Sequence, residues 1–378
     1  MFMFKQNILI LCLIGALIFG APIFLDPSYF GKVGFLALLL SFLTLFTSSI
    51  KDLLLCSSII TFGYLTTGDF LNHTFLSAAV FVIIYRLQKQ ITFNWIFKAV
   101  ALANVINLVI WALVSTLKDS PSESWLYPSG HPNLFSSYLF ISSIVIIYAI
   151  QTEKNDKLGW IIVMVNIIVI AIIGSKASIL AICISILSYF IPWKKLILFE
   201  MGNRARVIGL TSFFLIIFSA VLPTILSSTV LQLEENESNT TVVERTILWR
   251  NSYQNMDKAA VFGKGAGRWP IDYLAEGYPK IYRARELHVF FQRPHNEFIR
   301  IYFEYGIIGL GVLSFILSYV LISAFSLAKS DKTLRIVFSG MAGFIAPVLF
   351  SFPFERVEHT VLLFFLSLIT LKNQYETV

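Results

Sequence analysis

The residues of this chain that can do chemistry are few, and most of them are cations grouped around one histidine. His295 stands in the run Arg293-Pro-His-Asn-Glu-Phe298. Proline fixes the backbone directly ahead of the histidine, and a rigid approach into a helix end can aim a side chain at a site. Histidine changes charge near neutral pH, which suits it to taking a proton from a hydroxyl group. An interfacial histidine that anchors a helix among lipid headgroups fits the same run, and both readings stand on the residues alone. Arg245 lies in Glu244-Arg-Thr-Ile-Leu-Trp249-Arg250, and Gly263-Lys-Gly-Ala-Gly267-Arg268-Trp269 follows it. A Gly-x-Gly-x-Gly turn flanked by cations can bring backbone N–H groups to a phosphate. It does not follow an apolar strand, so it is no dinucleotide fingerprint, and a plain tight turn is the competing reading.

Lys176 sits in Gly174-Ser-Lys-Ala-Ser178 between two apolar runs with almost no loop. A cation in such a turn is costly unless it snorkels to water or meets an anion. Asn133, in Gly130-His-Pro-Asn133, reads as the cap of the next helix. Glu355 and Arg356, in Ser351-Phe-Pro-Phe-Glu-Arg356, read as a mutual pair at a helix start. Together Lys176, Arg245, Arg268, Arg293 and His295 supply positive charge and one titratable base. Arginine and lysine clamps suit a diphosphate, and a histidine within reach completes the equipment for displacing a diphosphate leaving group without a metal. Asp272 reads as isolated, with no second carboxylate beside it for a metal. Cys12, Cys56 and Cys183 each lie in an apolar run, which argues against a disulfide framework or a zinc site.

The elements that must carry these residues follow from composition. Apolar residues make up 57% of the 378-residue chain and charged residues 13%, against about 25% charged in soluble domains; mean hydropathy is +0.76. Such a chain has lipid as its solvent. Its net charge of +7 is no argument for nucleic acid, because the cations fall in short loops where they set orientation. A spanning helix needs about 20 apolar residues, and about twelve candidates meet a relaxed form of that criterion: 7–24, 32–49, 52–67, 73–86, 94–117, 133–151, 158–174, 177–193, 207–229, 303–328, 334–351 and 357–371. With the N-terminus inside, nearly every inside loop is basic. The histidines His73, His131, His288, His295 and His359 then all fall at or beyond outer helix ends. The expected fold is an all-α polytopic membrane protein. Its parts are 1–229, with the first nine spans; 230–302, a large outer loop, helical from Val242 to Met256 with Ile247, Leu248 and Tyr253 on one face; and 303–378, with the last three spans.

The motifs also resemble a family. His295-Asn-Glu-Phe, followed by Glu304-Tyr-Gly306-Ile-Ile-Gly309, resembles the signature of the O-antigen ligase / O-antigen polymerase superfamily of bacterial membrane glycosyltransferases of the GT-C type. Arg245…Trp249 with Gly263-Lys-Gly265 resembles its Arg-x-x-x-Trp and Gly-x-Gly run. Gly174-Ser-Lys176 is similar to its Ser-Arg turn, and Gly130-x-Pro-Asn133 is similar to its Pro-Asn motif. The resemblance covers roughly residues 130 to 320. It implies a multi-pass enzyme of the bacterial inner membrane that moves a glycan from undecaprenyl diphosphate to an acceptor hydroxyl at the periplasmic face. The acceptor is lipid A–core sugar for a ligase, the growing glycan for a polymerase, or a protein. By position, His295 resembles the essential histidine and Arg245 the loop arginine that meets the diphosphate. Lys176, Arg268 and Arg293 are candidate donor contacts, and Asn133, Asn296, Glu297, Glu304 and Arg356 candidate support. Lys176 stands where members often carry arginine, which keeps the charge but loses the bidentate fork. Neither cofactor nor metal is implied. A polysaccharide-related transporter is the competing class, against which the clustering of charge at one rim and the single dominant outer loop both weigh.

Overall fold

The computed structural model describes residues 79, 94–117, 131–153, 157–191, 208–209, 211–212, 241–256, 260–265, 267–269, 272 and 293–376. Every described element is helical: α1 (Asn94–Leu117), α2 (Pro132–Glu153), α3 (Lys157–Ile173), α4 (Lys176–Tyr189), α5 (Thr241–Gln254), α6 (Glu297–Ala328), α7 (Lys332–Phe350), a 3-10 turn at Pro353–Glu355 and α8 (Val357–Glu376). Among the described residues four helices are long and apolar enough to cross a membrane: α1, α2, α6 and α7. α3 and α4 are shorter apolar helices. Apart from Ala79, the first four expected spans lie outside the described residues, as does most of 207–229. The chain divides into two units: Met1–Lys195 with Ser323–Pro347 and Pro353–Val378, and Leu196–Ile322 with Val348–Phe352.

In the first unit α2 is the hub, with α1, α3, α4 and α8 all packed on it. Its apolar window is 83% buried, against 33% for that of α1, and its sequence fits that place. Ser136, Ser137, Ser142 and Ser143 are small enough to admit neighbours closely and polar enough to bind them. Asn104 on α1 donates to Ser142 Oγ (2.6 Å) and Asn166 on α3 donates to Ser143 Oγ (2.9 Å). On α8, His359 Nε2 lies 3.0 Å from the Leu134 carbonyl and 2.9 Å from Ser137 Oγ. The Ser137 hydroxyl already donates to that same carbonyl, so the Nε2 proton is on the histidine. Lipid gives helices no hydrophobic reason to associate; close packing and bonds of this kind, roughly 0.6 kcal/mol each, do that work. His359 thus belongs to the helix packing of this unit.

In the second unit α5 lies on the first two turns of α6. Leu248 and Trp249 of α5, Met256 in the turn just beyond it, Trp269, and Ile299 and Phe303 of α6 form one buried cluster, with Tyr253, Tyr302 and Phe350 against it. The buried face of α5 therefore runs through Leu248, Trp249 and Ser252, at the one-turn spacing of an amphipathic helix. Tyr253 sits at its edge on Tyr302 (5.2 Å between centroids), and burial pushes its phenol well above the usual tyrosine range. Two buried indoles are satisfied in turn: Trp249 donates to the Pro294 carbonyl (2.6 Å) and Trp269 to Ser252 Oγ (2.9 Å).

α6 is broken at Gly306, whose φ of 66° and ψ of −164° are open only to glycine. The break leaves carbonyls free above it and N–H groups free below it, and the glycine turn meets both. Lys264 N–H donates to the Phe303 carbonyl and Gly265 N–H to the Glu304 carbonyl, each at 2.9 Å. In return Ile307 N–H donates to the Ala260 carbonyl (2.8 Å) and Ile308 N–H to the Val261 carbonyl (3.4 Å). Gly263 and Gly306 make this approach possible, since a Cβ at Gly263 would meet the Glu304 backbone and one at Gly306 the Val261 carbonyl. Gly306→Ala is expected to lower stability by about 2–4 kcal/mol. Gly311→Ala, in the same helix with open space around it, is expected to leave it unchanged or raise it by about 0.5–1 kcal/mol. Thermal melting of the two purified variants in detergent checks the contrast.

Candidate active site

His295 enters α6 through a constrained corner. Among the described residues it is the one non-glycine with positive φ, 56°. A branched or ringed side chain in that region costs roughly 1–3 kcal/mol and persists only where its surroundings enforce it. They do so from both sides. Upstream, the Pro294 carbonyl is held by Trp249 Nε1–H. Downstream, Asn296 is buried and caps the helix, its Oδ1 accepting the Ile299 N–H (3.2 Å), the usual bond of an N-cap asparagine. The imidazole itself is half-buried, with its ring edge on Phe352 (5.2 Å between centroids).

Beyond the cap, α6 carries a charge cluster. Arg300 donates to Glu297 (2.7 Å) and to Glu304 (3.0 Å), and the two carboxylates are 0% and 4% exposed. These low exposures matter because a buried carboxylate requires a partner. Glu297 and Glu304, expected as site support, are thus engaged by Arg300, and Glu297 in the first turn also suits the helix dipole. Arg300 was not singled out from sequence, although the spacing Glu297-x-x-Arg300-x-x-x-Glu304 places all three on one helix face.

The cations divide between the units. Arg245 is half-buried on α5, one turn before Trp249. Because Trp249 reaches Pro294, the carrier helix of Arg245 is bonded to the segment that presents His295. Arg293, half-buried, is in that same segment. Arg268 is half-exposed and pairs with Asp272 (2.8 Å). Lys176, Asn133 and Arg356 belong to the first unit. Lys176 is exposed in the first turn of α4, behind Gly174 with φ of 69°. A cation there opposes the helix dipole, which is unfavourable for an idle lysine and consistent with an anion nearby.

The structure decides between the two readings of the glycine turn and corrects the expected cap of α2. The N–H groups of Lys264 and Gly265 are occupied by α6 carbonyls, and the Lys264 ammonium lies over the Phe303 ring (5.1 Å); the glycine turn is the brace of a broken helix, not a phosphate cradle. Nor is Asn133 the cap of α2. Pro132 fixes the first helical residue, so the cap falls on His131, whose Nδ1 accepts the Asn133 N–H (3.1 Å). Asn133 is left half-exposed in the first turn. Arg356 precedes α8 and accepts the Thr360 N–H on its carbonyl (3.1 Å); the Glu355 side chain lies outside the described residues.

Long apolar helices together with a strained histidine at a helix mouth define a multi-pass membrane protein with polar machinery at helix ends. Residues 161–314 match the model of the O-antigen ligase family. No curated protein matches the sequence.

Proposed function

We propose that this protein transfers a glycan from undecaprenyl diphosphate to an acceptor hydroxyl at the periplasmic face of the bacterial inner membrane, ligating O-antigen to lipid A–core. The observation that carries the reading is the family match over 161–314, because that segment contains Lys176, Arg245, Arg268, Arg293 and His295 together. The acceptor oxygen attacks the anomeric carbon and its proton passes to His295. The bond from that carbon to the diphosphate oxygen breaks, and the electron pair leaves with the diphosphate. Arg245 and Lys176 neutralise the charge that grows there, with Arg268 and Arg293 as further contacts and Asn133 and Arg356 in support. A single displacement inverts the anomeric carbon, and no metal takes part. The fold that serves this has about twelve spans, with 230–302 as the periplasmic loop between 1–229 and 303–378.

Deletion of the gene followed by analysis of surface glycan tests the acceptor. Long free chains with bare lipid A–core are expected. Unpolymerised single repeats would instead make the protein a polymerase, and normal glycan with an unmodified protein acceptor would make it a protein glycosyltransferase.

A further inference from the structure

The bond from Trp249 to Pro294 has a consequence for catalysis that packing alone does not require. Trp249 is 2% exposed and belongs to the core of the second unit. Its ring packs near Phe350 (6.4 Å between centroids), which already accounts for its burial. Its indole N–H has a separate partner, the carbonyl of Pro294 at 2.6 Å. That carbonyl and the His295 N–H belong to the same planar peptide. Holding the oxygen therefore fixes the plane from which the His295 φ rotation starts. Proline removes the rotation on its own N side, and Asn296 fixes the chain on the far side through its bond to Ile299. His295 sits between the two anchors with φ at 56°. Without the indole bond, the corner can relax toward negative φ, which swings the imidazole away from its present direction.

We infer that Trp249 is a positioning residue for His295, acting through the Pro294 carbonyl and not through contact with substrate. The inference rests on the reading of His295 as the base. It also explains why one helix carries both Arg245 and Trp249 a turn apart: α5 sets the position of a cation and the direction of the base with one rigid body.

The test is a double-mutant cycle on the full-length protein in proteoliposomes, with a polyprenyl-diphosphate-linked oligosaccharide and a glycan acceptor. W249F keeps an aromatic ring and loses the donor. It is expected to lower kcat by ~10-fold with the KM of donor and acceptor little changed. On the H295N background W249F is expected to change the residual rate less than about twofold, since a residue that acts only through His295 has nothing left to act on. A purely structural role would lower the rate by the same factor on both backgrounds and overturn the inference, as would W249F with wild-type kcat. H295N with wild-type kcat would overturn the base role, and the inference with it. The two failures are thus distinct. Should W249F not fold, as judged by melting and size exclusion, W249Y takes its place in the same cycle.

Discussion

His295→Asn is expected to abolish all but a trace of glycan transfer, a loss of about 10²–10⁴-fold, while leaving the protein as stable as before. Asparagine is chosen because it tolerates the left-handed region better than any other non-glycine residue. It keeps a polar side chain at the helix entry yet cannot take a proton near neutral pH. The Asn296 cap, the Arg300 cluster with Glu297 and Glu304, and the brace from the glycine turn do not involve the imidazole. Melting temperature and kcat therefore part company in this variant. That separation is expected of a residue whose strain serves a reaction and not the fold. Parallel loss of melting temperature and activity would mean that His295 is a packing residue, held against Phe352 for structural reasons.

Arg245→Ala is expected to cost about 10²–10³-fold in kcat/KM, with most of the loss on the side of the lipid-linked donor. The guanidinium is carried by a helix that is bonded to the His295 segment through Trp249, which holds that helix in place relative to the base. Arg245→Lys keeps the charge and loses the planar fork, and recovery of part of the rate is expected. Steady-state kinetics with donor and acceptor varied in turn check the assignment. A variant with normal donor use and weakened acceptor use moves Arg245 to the acceptor side.

The helices that hydropathy can define were legible because lipid leaves only one solution for the backbone. The expected 94–117 coincides with Asn94–Leu117, and helices overlie the other expected runs from 133 onward that the structure describes, while only α1, α2, α6 and α7 among the described helices are long and apolar enough to cross a membrane. α6 is instructive in where it fails. The apolar run starts at 303, but the helix starts at Glu297. Its first turns carry Glu297 and Arg300, which a hydropathy window counts as exterior although Glu297 is buried and paired with Arg300, as is Glu304 inside the expected run. The break at Gly306 was invisible for another reason. A glycine in an apolar helix is ordinary, and what makes this one a break is the partner turn at 260–265, some forty residues away in sequence. The same non-local pairing decides between the two readings of Gly263 and Gly265 in favour of the tight turn: the glycines supply positive φ, and the N–H groups of Lys264 and Gly265 go to protein carbonyls. The start of α2 was misread at Asn133, because Pro132 takes the first helical position and leaves His131 as the cap.

Of the candidate site, residue types and order were legible, and the strain was not. Nothing in Arg293-Pro-His-Asn-Glu-Phe298 announces a positive φ, because it results from Trp249 and Asn296 acting from opposite sides. Trp249 was visible as part of a spacing, with its bond to Pro294 supplied only by the fold.

The central claim is that glycan leaves a polyprenyl diphosphate and joins an acceptor hydroxyl on this chain. Purified protein in proteoliposomes, given a polyprenyl-diphosphate-linked oligosaccharide, lipid A–core acceptor and a chelator, tests it in one assay. The account predicts one polyprenyl diphosphate released for each glycan transferred, inversion at the anomeric carbon, and no effect of the chelator. Movement of intact lipid-linked donor across the bilayer, with no diphosphate released and no new glycosidic bond, would contradict it and make the protein a transporter.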